Sequence, residues 1–375
     1  MSATDVFTKL GVSKGQAKRL VKIGFEVPSP IQSELIPKAI DGDDCIGLAR
    51  TGTGKTAAFM IPIWELIEIG KSSPQALVMC PTRELSEQVA EEGRKLCPHK
   101  KAHVVTAVGG RPINGQIRDL QHAADVVVGT PGRVIDLMQR GDLNLSDLHL
   151  CVLDEADRML DIGFRPDIEK ILRRCPDDHQ TLLLSATMPE QVERLADRFM
   201  ESPVRIDLSQ DISSENTIDQ FFCTVEQHEK LPTLIQILLA ERPRQAIVFC
   251  RTKRGADKLY ASFHRRLPGA AVLHGDLAQS RRDRVMKSFR SGKTRLLIAT
   301  DVVGRGIDIS GVSHIINYDI PQDCDDYVHR IGRTGRLSSD DGTGRAITLV
   351  TAAEGSELTR VEMKINQLIE AYPLS

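Results

Sequence analysis

The sequence predicts an α/β protein with two domains, each a mostly parallel sheet flanked by helices. Its 375 residues exceed what one ordinary hydrophobic core serves and suit two domains. Short all-apolar runs alternate with helical stretches such as Glu84–Leu96, which is typical of buried parallel strands joined by crossover helices. The pattern lapses into polar residues near Ser209–Asn216 and then restarts. We therefore expect a first domain over 1–209, a linker over 210–216 and a second domain over 217–375.

The predicted strands follow in chain order, and most end at a polar or glycine-containing turn. In the first domain they are Cys45–Leu48, Ala76–Cys80, His103–Val108, Asp125–Gly129, Leu150–Leu153 and Thr181–Leu184. In the second they are Asp219–Val225, Ala246–Cys250, Ala271–His274, Leu296–Ala299, His314–Tyr318 and Ala346–Val350. A last helix is predicted near Leu358–Ala371. Function in such sheets collects beyond the carboxyl ends of the strands, so the turns after these runs are the candidate sites.

Composition and charge narrow the class of protein. Hydrophobic residues make up 41% and charged residues 27% of the chain, as in soluble globular proteins. No apolar run reaches the roughly 18 residues of a membrane span, and the first residues do not resemble a signal peptide. The eight cysteines form no C-x-x-C pair, which predicts neither a zinc site nor disulfides but a reducing, cytoplasmic location. A net charge of −2 limits any nucleic-acid site to a local groove.

A glycine-rich turn between the first predicted strand and a helix start has the pattern of a phosphate-binding loop. It reads Ala49-Arg50-Thr51-Gly52-Thr53-Gly54-Lys55-Thr56. Its backbone N–H groups and the helix N-terminus favour an anion, Lys55 can reach the β- and γ-phosphates, and Thr56 can ligate Mg²⁺. Ala49 stands where the general pattern has glycine. A chance glycine turn is the alternative, and the motifs that follow argue against it.

Two carboxylates follow another predicted strand later in the chain. Asp154 can hold Mg²⁺, largely through water, and Glu155 can orient or deprotonate an attacking water. Acidic residues after a strand are also common in plain turns and helix caps. Their combination with Lys55 and Thr56 favours the catalytic interpretation.

A stiff turn with an aromatic ring and a glutamine precedes the phosphate-binding loop. Phe25 and Gln32 flank a segment that holds Pro28 and Pro30, and a helix then runs through Ile40. The Gln32 amide offers the donor and the acceptor that match the N6/N7 edge of adenine. A plain helix-capping role for Gln32 is the alternative, and the neighbouring loop favours recognition of a base.

The second domain carries a basic octet. It reads His329-Arg330-Ile331-Gly332-Arg333-Thr334-Gly335-Arg336. Arginine can neutralise charge on a phosphoryl group during transfer, a role worth about 10³–10⁵ in rate. A solvated basic loop is the alternative. If these arginines and the phosphate-binding loop come from different domains, hydrolysis requires domain closure.

With these motifs in this order, the chain resembles the DEAD-box RNA helicases of superfamily 2 in their minimal two-domain form. The resemblance runs from Phe7 to about Val350. It rests on the segments GFEVPSPIQ, ARTGTGKT, PTREL, GG, TPGR, DEAD, SAT, IVFCRT, HGDLAQSRR, ATDVVGRGID and HRIGRTGR. It implies two tandem RecA-like domains and an ATP-dependent RNA helicase that uses ATP and Mg²⁺.

The resemblance also assigns the nucleotide site. Gln32 would recognise adenine, Phe25 would stack on it, and Phe7 would support Phe25. The loop described above and Asp154 would hold the phosphates and the metal, and Glu155 would be the catalytic base. Two further residues would link this site to RNA-dependent closure, namely Ser185 and Thr187. In the second domain Asp308 would contact the ribose, Arg333 and Arg336 would be the arginine fingers, and His329 would belong to the catalytic residues.

An RNA path is implied across both domains, chiefly by small residues, threonines and arginines. These are Arg83, Gly110, Thr130, Gly132, Arg133, Arg251, Gln279, Arg282, Thr300 and Asp301. Small residues, threonines and helix N-termini bind the sugar–phosphate backbone without reading bases, and 2′-OH contacts distinguish RNA from DNA. An aromatic content of 4% argues against base-stacking platforms. The family's wedge, which bends one strand, would be the helix around Val134–Gln139.

The chain departs from the family pattern in two places. Gly304 stands where the family often has alanine, and little consequence is expected. The stretch Leu337–Thr343 is longer than usual and acidic, and a tolerated surface insertion is the expected interpretation.

The resulting prediction is an RNA-stimulated ATPase that unwinds short duplexes locally or remodels RNA–protein complexes. An ATP-gated RNA clamp with low turnover in a larger assembly is one alternative, and a DNA translocase is another. We expect a monomer, with partner proteins that supply specificity.

Overall fold

The computed structural model of the protein describes residues 2–49, 52–99, 102–208, 218–264, 267–301, 312–334 and 344–374. The chain divides into two compact units, Met1–Asp211 and Ile212–Ser375, here called unit 1 and unit 2. The predicted linker at 210–216 lies outside the described residues, so its bounds stay a prediction.

Unit 1 alternates strands and helices after three opening helices. Its strands are β1 (Cys45–Leu48), β2 (Ala76–Met79), β3 (Val104–Ala107), β4 (Val126–Gly129), β5 (Leu150–Asp154), β6 (Gln180–Ser185) and β7 (Val204–Asp207). Its helices are α1 (Ala3–Thr8), α2 (Lys14–Lys22), α3 (Pro30–Ile40), α4 (Lys55–Leu66), α5 (Arg83–Leu96), α6 (Ile113–Gln121), α7 (Pro131–Arg140), α8 (Ala156–Asp161), α9 (Arg165–Leu172) and α10 (Glu190–Phe199).

Unit 2 repeats this alternation. Its strands are β8 (Ile218–Thr224), β9 (Ala246–Phe249), β10 (Ala270–Leu273), β11 (Leu296–Ala299), β12 (His314–Asn317), β13 (Gly344–Val350) and β14 (Glu370–Ala371). Its described helices are α11 (Lys230–Glu241), α12 (Lys253–Phe263), α13 (Gln279–Arg290), α14 (Cys324–Ile331) and α15 (Gly355–Ile365), with a 3₁₀ turn at Ala352–Glu354.

Each unit has one seven-stranded sheet, and every described strand pair in it is parallel. The strand order is β3-β4-β2-β5-β6-β1-β7 in unit 1 and β10-β11-β9-β12-β13-β8-β14 in unit 2. Counted from the first strand of each unit, the two orders are identical. The predicted fold class, two tandem α/β domains with parallel sheets of the RecA-like kind, is confirmed.

The central strands are buried because helices cover both faces of each sheet. β2 reads Ala-Leu-Val-Met and β4 reads Val-Val-Val-Gly, and every residue of both strands is buried. Successive residues enter different cores: Val78 packs in the cluster that holds Phe59, and Leu77 in the cluster that holds Met159. Two covered faces therefore explain why the strands read as continuous apolar runs without polar alternation.

Several helices begin just beyond a strand end, with caps that fix where they start. The Thr82 side chain accepts a hydrogen bond from the Leu85 N–H at the start of α5, and Thr252 accepts from the Gly255 N–H at the start of α12. Pro131 is the first residue of α7, where its missing N–H has no partner to lose. The helix N-termini and the strand ends thus meet at one edge of each sheet.

Two strands and one helix end differ from the sequence prediction. The apolar pattern does not reveal β7 or β14, because Val204–Asp207 is only partly buried and Glu370–Ala371 is two exposed residues. The predicted C-terminal helix is wrong beyond Ile365, because Asn366 adopts a φ of 50° and ends α15 before the chain returns as β14. None of the helices within the described ranges is long and apolar enough to cross a membrane.

A glycine at the end of β4 supplies a test of this packing. A Cβ on Gly129 would lie 2.5 Å from the Ala107 carbonyl oxygen and 2.9 Å from Val134 Cγ2, both fixed by the sheet and by α7. We expect Gly129→Ala to lower the free energy of unfolding of unit 1 by about 1–3 kcal/mol. Urea unfolding followed by the fluorescence of Trp64, the single tryptophan and a buried residue of unit 1, measures this change.

The matched control is Gly115→Ala within α6, where an added Cβ meets nothing within 4 Å. It should leave stability unchanged or raise it by up to about 1 kcal/mol, because alanine is the better helix former. Equal midpoints for the two variants would contradict the packing at Gly129.

Candidate active site and nucleic-acid interface

The phosphate-binding loop predicted from the sequence joins β1 to α4. Two of its glycines have left-handed backbones, Gly52 at φ 81° and Gly54 at φ 93°. A Cβ on Gly54 would lie 2.4 Å from Gln32 Nε2, so both the conformation and the close approach require glycine. The first N–H groups of α4 lie at the positive end of that helix's dipole, which suits an anion. Thr53 lies between the two glycines, whereas Arg50 and Thr51 fall outside the described residues.

The lysine of this loop is held close to the loop backbone. Lys55 is only 6% exposed, and its Nζ donates a hydrogen bond to the Ala49 carbonyl at 2.7 Å. The Ala49 N–H donates to the Ser185 carbonyl at 3.0 Å, so Ala49 continues the β1–β6 ladder by one residue. Thr56, half-buried, follows Lys55 in the first turn of α4. Lys55, which is expected to bind phosphate, and Thr56, which is expected to bind the metal, are therefore consecutive residues at the start of α4.

Gln32 both caps a helix and contacts the phosphate-binding loop. Its Oε1 accepts from the Ser29 N–H at 3.0 Å, and its Nε2 donates to the Gly54 carbonyl at 3.1 Å. The capping alternative and the recognition hypothesis are thus compatible, because an amide oxygen and an amide NH₂ each have capacity for a second bond. Phe7 is fully buried and packs edge-to-face against half-buried Phe25, with ring centroids 6.4 Å apart.

The two predicted carboxylates stand at the end of β5. Asp154 is 3% exposed, and its burial raises its pKa to about 7, although the Lys55 charge opposes the rise and the Glu155 charge adds to it. Glu155 has a left-handed backbone, with φ 54°, and its Oε2 accepts a hydrogen bond from Arg158 Nη1 at 3.3 Å. Asp154 and Glu155 therefore lie in one turn, but Asp154 is close to the Lys55 charge whereas Glu155 binds Arg158.

These residues fit a magnesium ion bound largely through water. A buried carboxylate whose pKa burial has raised is stabilised in its charged form by a nearby divalent cation. Mg²⁺ typically takes only one or two protein carboxylates and keeps its waters. Among the described residues, no three acidic, histidine or cysteine side chains are grouped so that they could hold a metal ion together, so an all-protein cage is not the geometry there.

Asp157 is a site residue that the sequence prediction leaves out of its assignments. Its Oδ2 accepts from the Ala186 N–H, the Thr187 N–H and the Thr187 hydroxyl at 2.9–3.2 Å. The Asp157 N–H donates a hydrogen bond to the Ser185 hydroxyl oxygen at 3.3 Å. The DEAD and SAT segments are therefore locked together through Asp157. Its place two residues after Glu155 is the only sequence signal for this contact.

The predicted RNA-binding residues of unit 1 gather at the same sheet edge. The Arg83 guanidinium lies over Gly109 and Gly110, so closely that a Cβ on Gly110 would lie 1.7 Å from Arg83 Nη1. Thr130 precedes α7, Gly132 is exposed within its first turn, and Arg133 Nη1 is 3.4 Å from the Arg111 carbonyl. Small residues, a helix N-terminus and arginines thus form a surface suited to phosphates.

In unit 2, the predicted RNA-binding residues Arg251 and Asp301 each have charged protein partners. Arg251 Nη2 donates to Glu354 Oε1 at 2.8 Å and to the Ile320 carbonyl at 3.2 Å. Asp301 accepts two hydrogen bonds from Arg330, at 2.5 and 2.7 Å. Arg330 is itself 2% exposed and sits over the Phe249 ring. The sequence did not predict these pairs.

The other predicted residues of unit 2 lie after β11, in α13 and at the end of α14. Thr300 is buried and directly precedes Asp301. Arg282 Nη1 is 3.4 Å from Gln279 Oε1 within the first turn of α13. His329 is half-buried in α14, and Arg333 is 4% exposed just after that helix. Asp308, Arg336, Gly304 and the stretch 337–343 lie outside the described residues, so the predictions about them stay predictions.

Fold and site together define a nucleotide-binding protein of the phosphate-loop class. The family model of the DEAD/DEAH box helicase matches residues 29–195, and that of the helicase conserved C-terminal domain matches residues 229–338. The chain therefore belongs to the DEAD/DEAH-box helicases.

Relatives of known name agree with this assignment. The DEAD-box ATP-dependent RNA helicase CshA of Geobacillus kaustophilus is 46% identical over 97% of this chain and 77% of its own length. The ATP-dependent RNA helicase CshA of Listeria monocytogenes is 46% identical over 95% of this chain and 68% of its own.

Solved structures of the family have the same fold. S. cerevisiae Dbp5 bound to RNA and ADP BeF3 superposes with a TM-score of 0.89 and 31% identity, covering 97% of this chain and 94% of its own. Mss116p bound to ssRNA and AMP-PNP gives a TM-score of 0.88 at 27% identity, covering all of this chain and 80% of its own.

The contact between the DEAD and SAT segments can be tested by hydrogen exchange. In Asp157→Ala no side-chain oxygen remains to accept from the Ala186 and Thr187 amides. We expect exchange at these two amides to speed up by about tenfold or more, because a hydrogen bond to a charged group is worth about 1.5–3 kcal/mol. Exposed Asp177→Ala is the control. Unchanged protection at Ala186 and Thr187 would show that Asp157 does not hold the SAT segment.

Proposed function

We propose that the protein is an RNA-stimulated ATPase that opens short RNA duplexes locally and remodels RNA–protein complexes. One observation carries this proposal most directly. The phosphate-binding loop, the DEAD carboxylates and a phosphate-binding surface of the RNA-backbone type all follow strands of a single parallel sheet, at the same edge of that sheet. Membership of the DEAD-box helicases supports it, as do the relatives named as ATP-dependent RNA helicases.

ATP would bind at the loop between β1 and α4. The Gln32 amide, which already contacts the Gly54 carbonyl, would read the adenine edge, with Phe25 held by Phe7 as the stacking ring. Lys55 would exchange the Ala49 carbonyl for phosphate oxygens. Loss of that hydrogen bond on ATP binding makes the loop conformation respond to the nucleotide.

Thr56 and Asp154 would hold Mg²⁺, mostly through water. A bound Mg²⁺ neutralises charge on the β- and γ-phosphates and favours the ionised form of Asp154. The protein's part is to place Asp154, which the β5–β6 ladder fixes at the strand end. Glu155 would accept a proton from the attacking water, oriented by its bond to Arg158.

RNA would bind by its backbone along the carboxyl edges of both sheets. Arg83, Gly110, Thr130, Gly132 and Arg133 offer arginine forks, exposed glycine backbone and a helix N-terminus, all of which suit phosphates. The family members Dbp5 and Mss116p, whose structures contain RNA, support this part of the proposal.

Arg333 and Arg336 would complete the hydrolytic site. The sequence places them in unit 2, whereas the phosphate-binding loop belongs to unit 1. Hydrolysis would therefore depend on closure of the two domains around ATP and RNA, assisted by Ser185 and Thr187, which Asp157 holds beside the DEAD turn. The ATP-gated clamp with low turnover is the alternative that the same closed state could serve.

We further propose a cytoplasmic monomer that acquires specificity from protein partners. The eight cysteines support a reducing compartment, because all of them are free thiols and seven are buried. Backbone binding without base contacts leaves the choice of RNA to other proteins.

Steady-state ATPase assays with Glu155→Gln test the proposed hydrolysis. RNA, but not DNA of the same sequence, should stimulate the native protein. Glu155→Gln should lower the stimulated rate by about 10²–10⁴, the range for loss of a general base, and leave ATP binding intact. The control Glu34→Gln changes an exposed carboxylate of α3 and should behave as the native protein. Equal rates with RNA, DNA and neither would contradict an RNA-coupled ATPase, and a low rate even with RNA would favour the clamp.

Nucleotide selectivity tests the assignment of Gln32. Gln32→Ala should raise the KM for ATP about tenfold and reduce the preference for ATP over GTP, because one or two hydrogen bonds to the base are lost. Gln32→Glu keeps an oxygen for the Ser29 N–H but has no amide donor, so it separates capping from recognition. An unchanged ATP/GTP ratio in both variants, with thermal stability lowered in Gln32→Ala and kept in Gln32→Glu, would leave Gln32 as a cap only.

A further inference from the structure

Unit 2 contains a charged quartet that the proposed function does not explain. It consists of two cations and two anions at the carboxyl edge of the sheet: Lys230, Arg251, Asp319 and Glu354. Arg251 is a proposed RNA contact. The Lys230 side chain is 0% exposed, so it cannot touch RNA itself.

Lys230 occupies a place that is unfavourable for a cation by itself. It is the first residue of α11, at the positive end of that helix's dipole, and it is fully buried. Two carboxylates offset this cost: Nζ lies 3.2 Å from Asp319 Oδ1 and 3.3 Å from Glu354 Oε2. The Tyr318 ring, 5.8 Å from Nζ, adds a cation–π contact.

Each of these carboxylates also holds Arg251. Asp319 Oδ2 accepts the Arg251 backbone N–H at 2.9 Å, and Glu354 Oε1 accepts Arg251 Nη2 at 2.8 Å. Each anion therefore bridges the buried lysine to the arginine through its two oxygens. Glu354 is further fixed by the N–H and hydroxyl of Thr351, at 3.0 and 2.9 Å.

The arginine keeps free capacity for an anion. Its side chain is 41% exposed, and the hydrogen bonds among the described residues use only Nη2 of its guanidinium. The N–H groups of Nη1 therefore remain to donate to a phosphate oxygen in a charge-assisted hydrogen bond.

The charge balance gives Lys230 its importance. The quartet carries two positive and two negative charges, so a phosphate that approaches Arg251 meets a locally neutral site with donors in place. Without the Lys230 charge, two carboxylates would face one guanidinium. Both carboxylates would then compete for the N–H groups of Arg251, and the guanidinium would be drawn away from a phosphate.

We infer that Lys230 is a positioning residue for RNA: from inside unit 2 it holds Asp319 and Glu354 so that Arg251 presents Nη1 to a backbone phosphate. This inference rests on the proposed function, in which Arg251 contacts RNA. Lys230 acts only through Arg251, and this separates it from a residue that merely stabilises the fold.

A double-mutant cycle in the full chain tests the inference. The variants are Lys230→Met, Arg251→Ala and the two together, with exposed Lys258→Met on α12 as the control. The measurement is the concentration of single-stranded RNA that half-maximally stimulates ATP hydrolysis, taken at several salt concentrations, with KM for ATP and circular-dichroism melting recorded alongside.

Lys230→Met should raise the half-maximal RNA concentration about tenfold, the size of one lost charge-assisted contact, and leave the KM for ATP unchanged. The slope of log affinity against log salt should become shallower by about 0.7, the value for one phosphate contact on a single strand. The double variant should bind RNA no more weakly than Arg251→Ala. If Lys230→Met does not fold, Lys230→Gln carries the same test, because its amide can donate to the carboxylates without a charge.

Three results would overturn the inference. One is a folded Lys230 variant with native RNA affinity and salt slope, while Arg251→Ala is impaired. Another is an additive loss in the double variant with an unchanged salt slope, which would show general loosening of unit 2. The last is native RNA affinity in Arg251→Ala, which removes the contact on which Lys230 would act. By contrast, no RNA stimulation of the native protein would contradict the proposed function itself.

Discussion

The parallel pairing of β6 with β1 on one side and β5 on the other is the constraint on which the rest of unit 1 depends. In this register Leu48 lies opposite Ser185, and Asp154 opposite Leu184. The phosphate-binding loop, the SAT segment and the DEAD turn therefore follow the ends of three neighbouring strands, β1, β6 and β5, and these ends are level with one another. A slip of one residue in either pairing would turn buried side chains to the opposite face of the sheet. It would also move these three segments away from one another.

That framework also holds a residue in an unfavourable conformation. Glu155 has a left-handed backbone, which costs a residue with a Cβ about 1–2 kcal/mol. Its neighbours hold it there, because Arg158 binds its carboxylate and Asp157 is bonded to the SAT segment. The carboxylate is thus oriented before any ligand arrives, and the proposed proton transfer to it would need little reorganisation.

The sequence predicts local features well, because their causes lie within a few residues. Buried strands show as apolar runs, and loop residues such as Gly54 and Lys55 follow a strand directly. Contacts between distant segments leave no such pattern. Arg251 meets Glu354 across 103 positions, and Gln180 reaches the Ala39 carbonyl across 141. Packing of the whole unit decides these pairs.

The same reasoning explains which site residues the sequence reveals and which it hides. Gln32 and Glu155 stand in recognisable motifs, so their chemistry can be predicted from type and spacing. Lys230 stands in no motif, and a lysine at a helix start normally indicates solvent exposure. Its burial becomes visible only when β12 and β13 bring Asp319 and Glu354 beside it.

Lys55 and Lys230 are counterparts in the two copies of the fold. Each is the first residue of the helix after the first strand of its sheet, and each is buried. Lys55 hydrogen-bonds a neutral carbonyl that a phosphate can replace, whereas Lys230 already has two anions of its own. At Lys230, the carboxylates of Asp319 and Glu354 thus stand where a bound phosphate would stand at Lys55. This part of unit 2 therefore leaves its lysine no capacity for a triphosphate. The fold occurs twice in the chain, but this lysine position can serve a nucleotide only in unit 1.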